Sequence, residues 1–427
     1  MRRTLRRFAA AGSRVTQSES QPRPRRAATV FIFITIVLDV LALGMVIPVL
    51  PRLIRQIGKF DAAQTNVWLA VFATTWAVMQ LMASPIQGAL SDRYGRRPVI
   101  LASNFGMGAN YLLMALAPNM IVLFIGRLIS GVCAGSIPAA VAYLADVNPP
   151  EKRAASFGLL GAAVSFGFAV GPAVGGLLGG LDPRAPFWAA AGLSLLNFLY
   201  GTFVLPESLP RDRRAPLQLR HMNPIGAIGA LLRTYPAIGG MLAVSALLTL
   251  AQLGPYNVFV VYTEKRYHWG PPEVGLFMTG SGVAGMLVQT LLVQPAVRRL
   301  GERTALLVGG AVQITAFAIL ALAATGAQFW MAIPFMCLAS IGGPAWSAIL
   351  SRTVGPSEQG LLAGATSSLN SLTSIIGPGL FLGVFTVAST EGSALPLGAP
   401  FWLASLCMLA AIGLAAWVTR PRPTMAV

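Results

Sequence analysis

Apolar runs of helical length alternate along this chain with short polar joints rich in arginine. A helix crosses a bilayer core of about 30 Å with about 20 apolar residues. Twelve stretches reach that length: 28–50, 67–90, 99–117, 120–143, 157–178 and 186–205, then 237–261, 274–296, 304–323, 329–350, 361–387 and 400–419. Between the two sets lies 206–236, which opens with Pro206-Glu207-Ser208 and holds Arg211, Arg213, Arg214, Arg220 and Arg233. It reads as a linker. The expected fold is an all-α membrane protein, twelve transmembrane helices in two pseudo-symmetric six-helix bundles, 28–205 and 237–419, with tails at 1–27 and 420–427.

Composition agrees with the pattern. Of 427 residues 55% are hydrophobic and 11% charged, too little polar surface for a soluble globule of this size. Residues 1–27 carry eight arginines and one acid, Glu19, and cannot bury a core. Two readings fit them: a disordered cytosolic tail touching anionic lipid, or an organellar transit peptide. A cleaved secretory signal fits poorly, because the apolar run that follows is of full spanning length.

Basic residues gather on the cytoplasmic side of membrane proteins. Twenty-four of the 31 lysines and arginines fall on the side bearing the N-terminus. Arg52, Arg55, Lys59, Arg184, Lys265 and Arg266 fall opposite, and Arg127 lies within a span. Both termini and the linker are therefore expected in the cytoplasm, with the chain in the inner membrane of the cell. The net charge of +17 is a topology signal and requires no nucleic-acid partner.

Enzyme chemistry finds little support. Cys133, Cys337 and Cys407 lie far apart in apolar runs, suggesting neither disulfides nor a zinc site. The two histidines, His221 and His268, offer neither a metal cluster nor a nucleophile-base pair, and no Gly-rich phosphate loop precedes a lysine. No cofactor or metal is expected, and uphill work would draw on an ion gradient.

The tightest charge cluster between spans is Gly88-Ala89-Leu90-Ser91-Asp92-Arg93-Tyr94-Gly95-Arg96-Arg97-Pro98. Gly95 permits a sharp turn, the charges cannot enter lipid, and Pro98 suits a helix start. Read alone, this is a loop anchoring helix ends at the lipid surface. A second copy, Gln294 to Arg303, follows 206 positions later, with Gly301 answering Gly95 and Arg298 standing where Asp92 does. Pro138 with Pro344, Gly171-Pro172 with Gly377-Pro378, and roughly Glu151 with Glu358 recur near the same offset. Transporters built from parallel repeats hold substrate between their halves, near the bilayer midplane, and alternate its access by rocking.

Gly88 to Arg97, Gly126-Arg127-Leu128-Ile129-Ser130-Gly131, the fifth-span string Gly167-x-x-x-Gly171-Pro172-x-x-Gly175-Gly176, and Leu205-Pro206-Glu207-Ser208 resemble the signature set of the major facilitator superfamily. Leu38-Asp39 with Leu43-Gly44 and Pro48-Val49-Leu50-Pro51 narrows the resemblance to its twelve-helix drug/proton antiporters. Tyr143-Leu144-Ala145-Asp146, Glu151-Lys152-Arg153-Ala154, Leu300 to Arg303 and Ser371 to Pro378 most resemble the tetracycline/proton exporters. The resemblance implies a monomeric exporter of small molecules against protons. It assigns gating to Gly88, Asp92, Arg93, Gly95 and Arg96, with Asp146 and Arg153, and marks Gly167, Gly171, Pro172, Gly175 and Gly176 as the antiport motif. Packing alone would also explain the motif, since glycines four apart line one helix face and admit a close neighbour.

Only Asp39 and Arg127 lie well inside a span. Asp39 falls roughly 16 Å in from Ala28, near mid-depth, and Arg127 roughly 10 Å in from the other side. The two are the expected proton-coupling residues; a static ion pair joining the first and fourth spans is the alternative. Gln80, Asn110, Tyr111, Gln252, Tyr256, Asn257, Gln289, Gln313, Trp346 and Asn370 outline a cavity whose amides and rings suit a flat, partly apolar ligand. Each alone also suits an interhelical hydrogen bond. By the resemblance, carboxylates that tetracycline exporters carry in the third and ninth spans fall on Asn110 and Gln313, and a histidine of the eighth on Gly285. A cavity with one carboxylate suits a divalent-metal chelate poorly. The expected cargo is lipophilic, neutral or monocationic. A passive or uptake facilitator for a small metabolite, and a transporter-shaped ligand sensor, remain open.

Overall fold

The computed structural model describes residues 26–214, 229, 231–233, 235, 238–355 and 358–420. The basic tail, most of the linker and the last seven residues lie outside the described residues. Among the described residues eleven helices are long and apolar enough to span a membrane, and a bent pair, α1 (Arg26–Val46) with the short helix after it, makes the twelfth; α2 (Ala62–Tyr94), α3 (Arg96–Leu116), α4 (Met120–Val147), α5 (Pro150–Leu181) and α6 (Ala185–Val204) complete the first half. The second half holds α7 (Gly239–Tyr267), α8 (Pro271–Leu291), α9 (Glu302–Leu322), α10 (Gly326–Ser351), α11 (Gln359–Ala388) and α12 (Ala399–Val418).

The ends of these helices depart from the apolar runs for local reasons. α1 stops at Val46, short of the expected residue 50, and after a 49° bend the short helix Leu50–Gly58 carries on. Pro48, at the bend, lacks the amide that would continue the ladder. α2 is longer than its apolar run at both ends. The Asp61 side chain accepts from the Gln64 amide at 2.7 Å in a capping box before it, and Gly95, at φ +110°, closes it. The run expected to end at 296 divides, with α8 stopping at Leu291 and a separate helix, Val293–Leu300, carrying Arg298 and Arg299.

The 206-residue repeat extends to these details. Asn119 and Thr325 cap α4 and α10 through their side chains, and both spans break, α4 at Ala134–Gly135 and α10 near Ser340–Ile341. Gly95 and Gly301 are both at positive φ. A further repeat went unread in the sequence: α6 and α12 both open with Ala-Pro-Phe-Trp, at 185–188 and 399–402.

Two crossings join the halves, α5 on α8 and α2 on α11. We call the side with the Gly95 and Gly301 turns the basic face and the opposite side the far face. Adjacent glycines of α5 serve different neighbours. A Cβ on Gly171 would lie 2.7 Å from the Leu41 carbonyl oxygen, and one on Gly175 2.1 Å from that of Met45, so this row lets α1 lie directly on α5. A Cβ on Gly176 would lie 2.3 Å from the Pro271 carbonyl oxygen of α8, across the boundary between halves. Among the described residues, the polar links between halves lie from the far face to about mid-depth. Arg55 donates to Glu264 at 2.8 and 3.3 Å, Asn66 to Thr386 at 3.2 Å, and Thr74 to the Ile375 carbonyl at 3.0 Å. The structure is thus closed at its far face.

Candidate functional site

Asp39 lies on α1 where α3, α4 and α6 converge. Asn197 donates to its Oδ1 at 3.0 Å and also to the Thr35 carbonyl at 3.1 Å, and Ser136 hydrogen-bonds the same carboxyl. With its nitrogen turned inward, the Asn104 amide donates to the two carboxyl oxygens at 3.3 and 3.2 Å while its oxygen accepts from Asn197 at 3.1 Å. Asn104 and Asn197 are fully buried. An amide presents either a donor or an acceptor, so turning Asn104 over would serve a protonated carboxyl as readily as a carboxylate. Sequence reading missed Asn104, Asn197 and Ser136, although the two asparagines lie within apolar runs and carried the same mid-span signal as the residues chosen.

Arg127 does not pair with Asp39. Its Nε donates to the Phe72 carbonyl at 3.1 Å and its guanidinium lies 5.9 Å from the Trp76 ring centre. Tyr111 lies within electrostatic reach of both Asp39 and Arg127, and Tyr256, from the other half, within reach of Arg127. The static ion pair is therefore absent among the described residues, whose four ion pairs lie elsewhere.

A cavity of about 580 Å³ is walled by the second half and reaches toward the basic face at Ser351 and Gln359. Four expected ligand residues line it: Gln252, Gln313, Trp346 and Asn370. Trp346 donates to Ser245 at 2.9 Å, and Asn370 accepts from Thr249 at 2.9 Å, which fixes both side chains. Its lining carries no ionisable side chain. Tyr256 stands one turn beyond Gln252 on α7 and is 46% exposed.

The other expected residues lie apart. Asn110 and Tyr111 are buried inside the first half, the Asn110 amide 3.8 Å from the Met114 sulfur. Asn257 donates back to the Leu253 carbonyl of its own helix at 2.8 Å. Gln80 and Gln289 are not among the lining side chains.

The loop charges bind one another within the first half. Arg96 bridges Asp92 at 2.5 Å and Asp146 at 3.1 Å, while its amide donates to Glu207 at 2.9 Å. Gly88 has open space around it, Arg93 lies over the Tyr94 ring, and exposed Arg153 donates to the Asn148 carbonyl. Among the described residues these charges form no ion pair with the second half.

Two repeated bundles, closed together at one face with polar side chains at mid-depth, have the architecture of a membrane transporter. The sequence assigns it further: residues 32–378 match the Major Facilitator Superfamily, and the chain belongs to that family. It is 37% identical over 384 residues to the class C tetracycline resistance protein of Escherichia coli, covering 89% of this chain and 95% of that protein. The class G tetracycline resistance protein of Vibrio anguillarum is 36% identical, with 90% and 97% covered. Among solved structures, the nucleoside transporter NupG superposes with a TM-score of 0.73 at 14% identity, covering 92% of this chain and all of that one, which bears on the fold alone.

Proposed function

We propose that this chain is a proton-coupled exporter of lipophilic, drug-like small molecules of the tetracycline kind. The relatives named for tetracycline resistance support the cargo class. The excess of arginine on the basic face supports a cytoplasmic position for that face and for both termini. On that reading the described state is open inward, and export proceeds by breaking the far-face contacts and closing the basic face. The Arg96 cluster with Asp92 and Asp146 is then the released half of a latch.

One observation carries the proton coupling: an acidic side chain at mid-depth held by three neutral partners, one of which, the Asn104 amide, can serve either protonation state. Asp39 takes up or releases a proton as the halves rock. Arg127, nearby through Tyr111, keeps its charge throughout. The amides and indole of the cavity wall hold the cargo by hydrogen bonds and stacking.

The experiment is uptake of tetracycline into proteoliposomes loaded with an acidic interior. Accumulation that collapses when nigericin dissipates the gradient supports the antiporter. Flux indifferent to nigericin would assign a passive facilitator, and binding without counterflow a sensor.

A further inference from the structure

The central space holds an unbalanced positive charge. Among the described residues, Arg127 has a protein acceptor only at Nε, and no Asp or Glu oxygen lies within 4.0 Å of it. Its two terminal nitrogens are not among the fully buried atoms lacking a partner, and the residue is partly exposed, so its outer edge is not sealed inside the protein. A guanidinium keeps its charge in proteins, and one inside the membrane is costly unless a counter-charge meets it. The interior carboxylate, Asp39, is already held by Asn197, Asn104 and Ser136.

Two phenols, one from each half, lie within electrostatic range of Arg127. Tyr111 on α3 is 3% exposed and its hydroxyl has no hydrogen-bond partner, although it lies within electrostatic range of both Asp39 and Arg127. Leaving a buried hydroxyl unpaired is costly, so a partner in some other state of the cycle is to be expected. Tyr256 on α7, in the second half, lies within electrostatic range of Arg127 and one turn beyond Gln252 of the uncharged wall.

We propose that Arg127, with Tyr111 and Tyr256, is an anion subsite of the transport cavity. The cargo carries a carboxylate or another planar oxyanion pair that docks on the free edge of Arg127, while its flat apolar body lies along the wall at Gln252 and Trp346. The planar fork of an arginine matches such a group through two parallel hydrogen bonds. This rests on the exporter reading and narrows its cargo to anions and zwitterions, giving up the monocation expected from the count of carboxylates. A cargo held by Arg127 and Tyr256 together touches both halves and so couples its binding to their rocking.

The test is equilibrium binding to the full chain in lipid nanodiscs, with empty nanodiscs subtracted and no pH gradient. The probes are dansylglycine, an aromatic carboxylate, and its methyl ester, which keeps the fluorophore and loses the charge. The wild type should bind the acid about tenfold tighter than the ester, from one charge-assisted bidentate contact. Arg127→Gln should abolish that preference, and Arg127→Lys should restore only part of it. Tyr256→Phe, which keeps the ring, should weaken the acid alone by about fivefold, the worth of one hydrogen bond. An acid that fails to bind, or binds no tighter than its ester, or a Tyr256→Phe variant that weakens both alike, overturns the subsite. Because no flux is measured, a preference for the acid in a chain that fails the nigericin test would sink the exporter reading and spare the subsite.

Discussion

Gly175 and Gly176 are neighbours on α5, yet alanine at the two should do different things. At Gly176 the new methyl would sit 2.3 Å from the Pro271 carbonyl oxygen and 3.2 Å from the Gly275 Cα, both in the other half. At Gly175 it would sit 2.1 Å from the Met45 carbonyl oxygen, within the same half. Either contact requires backbone to retreat by about 1 Å, and overpacking of this kind costs typically about 1–3 kcal/mol. The gain in helix propensity from Gly to Ala, up to about 1 kcal/mol, offsets part of it equally in both. The cost at Gly176 falls only on states in which the far faces touch, so opening relieves it. A bias of about 1–3 kcal/mol shifts a two-state equilibrium by about 5- to 150-fold. Nitroxides at Asp61 and Thr390, exposed near the far ends of α2 and α11, would report this by double electron–electron resonance in a background lacking Cys133, Cys337 and Cys407. Gly176→Ala should raise the population at long distance. Gly175→Ala should leave the distribution as it is and lower thermal stability. Equal widening by both variants would refute the division of labour between the two glycines.

Other perturbations follow from the same contacts. Arg55→Ala or Glu264→Ala removes a part-exposed pair worth up to about 1 kcal/mol, so each should raise the far-face-open population about fivefold by the same spectroscopy; exchanging the two charges together should restore it. Gly95→Ala forces a side chain into φ +110° and places its Cβ 2.2 Å from a Glu207 carboxyl oxygen, so it should lower the melting temperature of the purified protein by several degrees, with about 1–3 kcal/mol from the backbone alone. Trp346→Phe removes the indole hydrogen bond to Ser245 and should weaken dansylglycine and its ester alike, by about fivefold, in contrast to Tyr256→Phe.

The twelve spans were legible because a bilayer demands long apolar helices, and the Gly95 turn because only charge and glycine break that rule there. Helix ends were less so. Asp61 caps α2 from outside the apolar run, and Pro48 and Leu292 interrupt α1 and the end of α8 inside theirs, where hydropathy has no signal. The candidate site was read in fragments. Asp39 and Arg127 stand out as charges in apolar runs, but their partners come from other helices, and periodicity within one helix cannot say which helix lies beside it. Asn104 and Asn197 passed unnoticed while Asn257, which bonds its own helix, was chosen on the same grounds. That some helix lies close on α5 was legible in the spacing of Gly167, Gly171 and Gly175; that it is α1 was not. That Gly176 faces the other half instead required the structure.

The role of Asp39 is tested most directly by comparing Asp39→Asn with the wild type in one preparation of proteoliposomes, following tetracycline under a pH gradient and by counterflow without one. Asparagine keeps the shape and the hydrogen bonding of the site and cannot carry a proton. The account predicts counterflow close to that of the wild type and no uphill accumulation. Undiminished accumulation by Asp39→Asn would contradict it.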